Sequence, residues 1–483
     1  MLFNSYEFLI FFPIVTTLFF LLPHKYRWFL LLMASCYFYM YFVPIYILIL
    51  AGTIIIDYIA GLVIEKSEGS KRKAFLVLSL VTNIGILAVF KYYNFFIENI
   101  NAVSSLNMPF LTILLPIGLS FHTFQAMSYT IEVYRGNQKA ERNFGIYALY
   151  VMFYPQLVAG PIERPQNVLH QFHEKQYFKY ENVVSGLRLM MWGLIKKMVV
   201  ADRLAGFTSN VFNDPGNASG TSLLIGTIFF SFQIYCDFSG YSDIAIGAAR
   251  VMGFKLMTNF NKPYHARSIS EFWKRWHISL STWFKDYLYI PLGGNRVSVS
   301  RGYFNLFFVF LVSGFWHGAN WTFIIWGALH GFYLVFAIIS RDGRQKVIDG
   351  LGISKIGWLN NAINVTTVFF LVTVTWVFFR ANTLKDALAI FKKFLNIPSE
   401  LTQVFHERSL MTLNFPRNGT FIVNSFMIII LLELIQTLEA KYRISETFAQ
   451  KPMVFRWGIY ITGIISILFL GNFNSNSFIY FQF

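Results

Sequence analysis

Residues 303–339 read YFNLFFVFLVSGFWHGANWTFIIWGALHGFYLVFAII, with no lysine, arginine, aspartate or glutamate. A bilayer's hydrocarbon core takes roughly 20 residues of helix, so spans starting near Tyr303 and Trp321 both fit. The titratable imidazoles in the stretch are His317 and His330. A proton-carrying group is costly in hydrocarbon and by default marks a pathway or reaction centre. An imidazole also takes and returns a proton near neutral pH. On one straight helix the two rings would sit about 20 Å apart. Only a turn at Asn320 would bring them to one place. His330 reads more readily as a packing histidine, and His317 as the functional one.

The rest of the chain extends this pattern. Of 483 residues, 55% are hydrophobic, 19% aromatic and 13% charged, against about 25% charged in soluble domains. Candidate spans start near Phe8, Trp28, Pro44, Ala74, Phe110, Phe144, Val183, Ser222, Tyr303, Trp321, Ala362, Phe421 and Trp457. Several carry prolines and charges, as re-entrant or interfacial segments do. The expectation is an all-α polytopic membrane protein with about 11 transmembrane helices. It forms a single domain, 1–483, ending in an aromatic tail, 472–483. A β-barrel would show short alternating segments instead. The first apolar run lacks the marks of a cleavable signal peptide.

The net charge of +16 fits basic loops held against anionic lipid; no nucleic-acid module is visible. Cys36 and Cys236 lie in apolar segments, so no disulfide framework is expected. No Cys/His cluster has metal spacing, and His170 and His173 read as surface residues. No internal repeat suggests a transporter built from inverted halves.

Basic residues set the orientation. His24–Arg27, Lys71–Lys73 and segments 262–301, 341–355 and 441–456 fit the cytoplasmic side. Both termini are then extracytoplasmic. The loop from Arg380 to Arg417 breaks the rule, being basic yet external. Within it Leu384, Leu388, Phe391 and Leu395 recur at helical spacing opposite Lys385 and Lys392, as on a surface helix.

Glu271 to Leu288 has the period of one amphipathic helix, with Trp273, Trp276, His277, Leu280 and Trp283 on one face and Lys274, Arg275, Lys285 and Asp286 on the other. His277 would point inward, as a functional group or as a buried histidine bonded to backbone. Asp237 and Asp243 put two carboxyls in apolar surroundings, with Arg250 downstream. A structural network is the simpler reading. Gly160–Pro165 breaks a span and offers Glu163 and Arg164 as a tunnel mouth or a plain loop. Gly293-Gly294-Asn295 reads as a turn, and His122 as a hydrogen-bonded core residue. The chain ends SFIYFQF (477–483), which alone could be an interfacial aromatic belt.

Taken together, residues 154–162 (YPQLVAGPI), 235–247, 270–294 and 313–321, with the aromatic tail, resemble the membrane-bound O-acyltransferases of the alginate and peptidoglycan O-acetyltransferase type. The similarity extends over most of the chain. It implies that His317 and His277 are the signature histidines, with His317 catalytic. It also implies acetyl-CoA as a donor substrate, no permanently bound cofactor, and an extracytoplasmic SGNH-type partner with a serine nucleophile. The setting would be a bacterial plasma membrane. Trp316, Trp273, Arg275, Asn320, Asp237 and Asp243 are expected around substrate, with Asn320 or His277 near the oxyanion. Tyr480 is the candidate acyl acceptor. From Gly471 it is nine residues away, about 30 Å when extended, enough to return to the midplane. The alternatives are a flippase for a polysaccharide precursor, or a D-alanyl or lipid acyltransferase of the same superfamily.

Overall fold

The structure, a computed structural model, describes all residues except 408–414, 416, 418, 474–477 and 480–483, and all described side chains but that of Phe405. Helices dominate and no strand occurs among the described residues. Hydrocarbon offers no partner for backbone N–H and C=O groups, and helices satisfy them internally. Eight helices among these residues are long and apolar enough to cross a membrane: Pro44–Lys66, Gly69–Val103, Gly220–Val251, Val299–His317, Trp321–Ile339, Gly357–Arg380, Gly419–Tyr442 and Met453–Leu470. The expectation of about 11 spans exceeds that number. The difference lies in shorter or interrupted helices such as Tyr6–Leu21, of 16 residues, and in segment 104–118, which is not helical. Pro109 and Pro116 bracket its apolar run, and proline disfavours helix at and before its own position.

Two compact units are resolved. The first comprises Met1–Gly193 and Tyr241–Asn259; the second comprises Leu194–Gly240 and Phe260–Ile479. The helix Gly220–Val251, 32 residues long, contributes to both.

In the first unit, buried polar side chains tie helices together. Asp57 accepts from Ser79 Oγ at 2.6 Å and Asn83 Nδ2 at 2.9 Å, and Ser79 also donates to Thr130 Oγ1 at 2.9 Å. His122 Nε2 lies 2.7 Å from Thr53 Oγ1, a hydrogen-bonded core histidine. Asp243 and Arg250 interact electrostatically on their shared helix. Gly186 and Gly247 mark a close helix crossing: a Cβ on Gly186 would lie 2.7 Å from the Gly247 carbonyl oxygen.

The loop at Gly160–Pro165 is packed inside this unit. Glu163 is fully buried and accepts from Met257 N and Asn167 Nδ2, while Tyr150 Oη donates to the Glu163 carbonyl at 3.0 Å. That geometry is of a clamp between two chain segments, not of an open mouth. Burial raises the Glu163 carboxyl to about 7, against partial lowering by its hydrogen bonds. The folded protein therefore holds a proton that the unfolded chain releases near pH 4.5. Stability should fall as pH rises from about 4.5 to about 7 and then level off. Glu163→Gln should flatten that slope in thermal unfolding scans; an unchanged slope would refute the assignment.

Candidate active site

The second unit contains His317. Residues Val299–His317 and Trp321–Ile339 form a helical hairpin, and Asn320 is the turn. Its Oδ1 accepts from Thr322 N at 3.0 Å as an N-cap, and its Nδ2 donates to the Asn382 carbonyl at 3.1 Å. Its amide thus has capping work at both ends. The two helices touch where Gly314 faces Gly327: a Cβ on Gly314 would lie 3.0 Å from the Gly327 Cα. Small residues permit such approach between membrane helices.

The hairpin brings His317 and His330 to the same indole. The Trp326 ring centroid lies 5.0 Å from His317 and 4.9 Å from His330. The straight-helix separation is thereby replaced by proximity. His330 has both nitrogens engaged, with Trp273 Nε1 donating to Nδ1 at 3.3 Å and Thr375 Oγ1 3.0 Å from Nε2. Trp273 and His330 thus belong to one hydrogen-bonded unit. His317 ends its helix, buried, with ring neighbours Trp316 at 5.0 Å and Phe379 at 5.4 Å. Three aromatic walls fix the imidazole and keep bulk water away.

The expected single helix over 271–288 is broken. Ile269–Arg275 and Ile278–Phe284 are separate helices, and His277 between them is left-handed at φ 43°, ψ 55°. No glycine or proline announces the break. Histidine is among the non-glycine residues enriched there, but the conformation costs about 1–3 kcal/mol and persists only where surroundings enforce it. His277 is fully buried, its ring 4.6 Å from Phe238 and 6.3 Å from Phe260. Ring contacts continue from Phe260 through Trp276, Trp376 and Trp326 to His317. Arg275 is half-buried, bonded to Glu271 at 2.7 Å and to the Asn261 carbonyl, so its charge is already partly answered.

Asp237 occupies a charged cluster that the sequence reading missed. Lys197 Nζ lies 2.7 Å from Asp237 Oδ1 and 2.8 Å from Asp202 Oδ1, all three side chains buried. Lys196 donates to Ser239 Oγ at 3.0 Å. The available signal was a Lys-Lys pair inside the apolar run 189–201, since intramembrane lysines rarely lack purpose. Asp237 Oδ2 also accepts the Ile479 backbone N–H at 2.7 Å. Phe478 and Ile479 are buried, and Phe478 packs 5.5 Å from Phe238, the ring that touches His277. Asn472 N donates to the Met198 carbonyl at 3.1 Å. The C-terminal segment is thus anchored at Asn472 and again at Ile479. Tyr480 itself lies outside the described residues.

Breaking this anchor should be costly. Asp237→Ala leaves Lys197 buried with one carboxylate fewer and should destabilise the protein by roughly 3–5 kcal/mol. Asp237→Asn keeps an acceptor for Ile479 N–H. Carboxypeptidase should trim the tail faster in the alanine variant than in the asparagine one; equal rates would show that Asp237 does not hold it.

Among the described residues no group of three or more metal-ligating side chains occurs, and both cysteines are free. The sequence model of the membrane-bound O-acyltransferase family matches residues 142–380, a range that includes His277 and His317. The chain is similar to "Probable alginate O-acetylase AlgI" of Pseudomonas aeruginosa at 41% identity, covering 81% of this chain and 74% of the relative. It is 38% identical to a peptidoglycan O-acetyltransferase of Helicobacter pylori, over 76% and 73% of the two chains. A teichoic acid D-alanyltransferase of Streptococcus thermophilus is 31% identical, over 58% and 69%.

Proposed function

Because the chain belongs to the membrane-bound O-acyltransferase family and is a multi-pass O-acyltransferase, we propose that it carries acetyl groups across a bacterial plasma membrane to modify an exported polysaccharide. Acetyl-CoA is the donor in this reading. Its charged, bulky end stays at the basic cytoplasmic face near residues 262–301, and the thin thioester arm enters. His317 takes the proton of an attacking hydroxyl as its oxygen adds to the thioester carbonyl. The tetrahedral intermediate collapses, the C–S bond breaks, and the imidazolium returns the proton to the departing thiolate. Water exclusion by Trp316, Trp326 and Phe379 protects the thioester from hydrolysis.

Tyr480 supplies the attacking oxygen. A phenol, of pKa about 10, makes a more activated ester than a sugar hydroxyl does. The acetyl group can then move downhill to the serine of an extracytoplasmic SGNH-type partner. The observation that carries the proposal is the buried return of the tail: Ile479 is bound to Asp237 and Phe478 packs on the ring beside His277. The residue after Ile479 is Tyr480. Alginate and peptidoglycan, named for the two relatives, are the polysaccharide types to assay first.

In proteoliposomes supplied with acetyl-CoA and a hydroxyl acceptor, the protein should release free CoA thiol in proportion to acylated product. A flippase would release none, and that result would overturn the proposal.

A further inference from the structure

A half-open cavity of about 480 Å³ lies in the second unit, lined among others by Arg203, Ser209, Asn210, Arg417, Phe421 and Asn472. Its volume is in the range of small-molecule sites, roughly 300–1,000 Å³. Two guanidinium groups share one ring there: Arg203 sits 5.3 Å and Arg417 5.7 Å from the Phe421 centroid. Among the described residues neither is ion-paired, and the buried Arg203 Nε has no hydrogen-bond partner. Asp202 also lines the cavity, but its carboxylate bonds Lys197. Two adjacent arginines with no ion pair among the described residues favour an anion, and their planar forks suit phosphate.

The cavity's position says which anion. Phe421 stands near the start of the span Gly419–Tyr442, and Leu470, also lining the cavity, ends Met453–Leu470. Two spans therefore terminate at this point, where a bilayer places its headgroups. Beside the cavity, Leu468 and Phe469 are 61% and 82% exposed, an outward apolar surface suited to acyl chains. The cavity combines two cations, neutral hydrogen-bonding groups at Ser209 and Asn210, and hydrocarbon surface alongside. Arg417 also belongs to the basic loop that contradicts the positive-inside pattern, and an anionic ligand explains its placement.

We propose that this cavity binds the phosphodiester headgroup of an anionic phospholipid of the phosphatidylglycerol kind, with phosphate on Arg203 and Arg417 and the glycerol hydroxyls toward Ser209 and Asn210. Asn472, where the tail begins, lines the same cavity, so the lipid buttresses the tail's first anchor. The site does not depend on Tyr480 carrying acetyl.

Native mass spectrometry of the full chain with phosphatidylglycerol or phosphatidylcholine tests this. Phosphatidylglycerol should be retained in preference. The double variant Arg203→Gln/Arg417→Gln should weaken its retention by roughly tenfold to a hundredfold, the size of losing charge-assisted hydrogen bonds. Gly206→Phe fills the cavity while leaving both charges, since a Cβ there would lie 3.5 Å from Arg417 Nη2, and should have the same effect. Equal retention of both lipids, or retention indifferent to both variants, overturns the proposal. So does displacement of phosphatidylglycerol by millimolar inorganic phosphate or by a uronate oligosaccharide, which would make the cavity a free-anion or sugar-acid site.

Discussion

His317→Ala is expected to lower acyl transfer by roughly a hundredfold to ten-thousandfold, the usual contribution of a positioned general base. The loss should fall on kcat, because in the proposed reaction the imidazole acts on a proton in flight and not on the donor's distant headgroup. Removing the ring from among Trp316, Trp326 and Phe379 also leaves a void, costing about 2–4 kcal/mol as core truncations do. Stability and chemistry must therefore be separated. His330→Ala provides the comparison: it empties a neighbouring site on the same Trp326 ring and strands the Trp273 indole N–H and the Thr375 hydroxyl. That variant should unfold at lower temperature yet keep most of its rate per folded molecule. Comparable rate losses in the two variants would make His317 a packing residue.

Tyr480→Phe should abolish delivery of acetyl to an extracytoplasmic acceptor while leaving thermal unfolding nearly unchanged. The substitution removes one oxygen atom and keeps the ring. The nearest hydroxyl in sequence, Ser477, lies three residues away. Tail retention, read by carboxypeptidase protection, should persist because Asp237 holds the backbone N–H of Ile479. Full transfer by Tyr480→Phe would rule out the relay and leave direct transfer from thioester to partner.

The membrane architecture was largely readable because hydrocarbon imposes a composition, and 37 uncharged positions at 303–339 admit few alternatives. The hairpin was visible only as an option at Asn320. What closes it is Gly314 facing Gly327, a contact between two helices that no periodicity within either one displays. The helix over 271–288 failed for a different reason. Its apolar period is genuinely helical, and the left-handed turn at His277 is enforced by tertiary packing against Phe238 and Phe260. Leu384–Phe394 did form a helix, with a Thr383–Asp386 capping box. It buries Ala387 and Ile390 and leaves Leu388 exposed, so the side turned inward is rotated from the leucine stripe. Asp237 was singled out for being an acid in apolar sequence, but its partners Lys197 and Ile479 lie 40 and 242 residues away. The Lys196-Lys197 pair marked the cluster locally, but which acid and which backbone group it joins is set by long-range packing.

The most direct test of the account is the mass of the C-terminal peptide after the purified protein meets acetyl-CoA without an outer acceptor. The relay predicts one added acetyl group, on Tyr480, absent from the His317→Ala protein and removed when the partner enzyme is supplied. Thiol release with an unmodified tail, or acetyl on another residue, would contradict it.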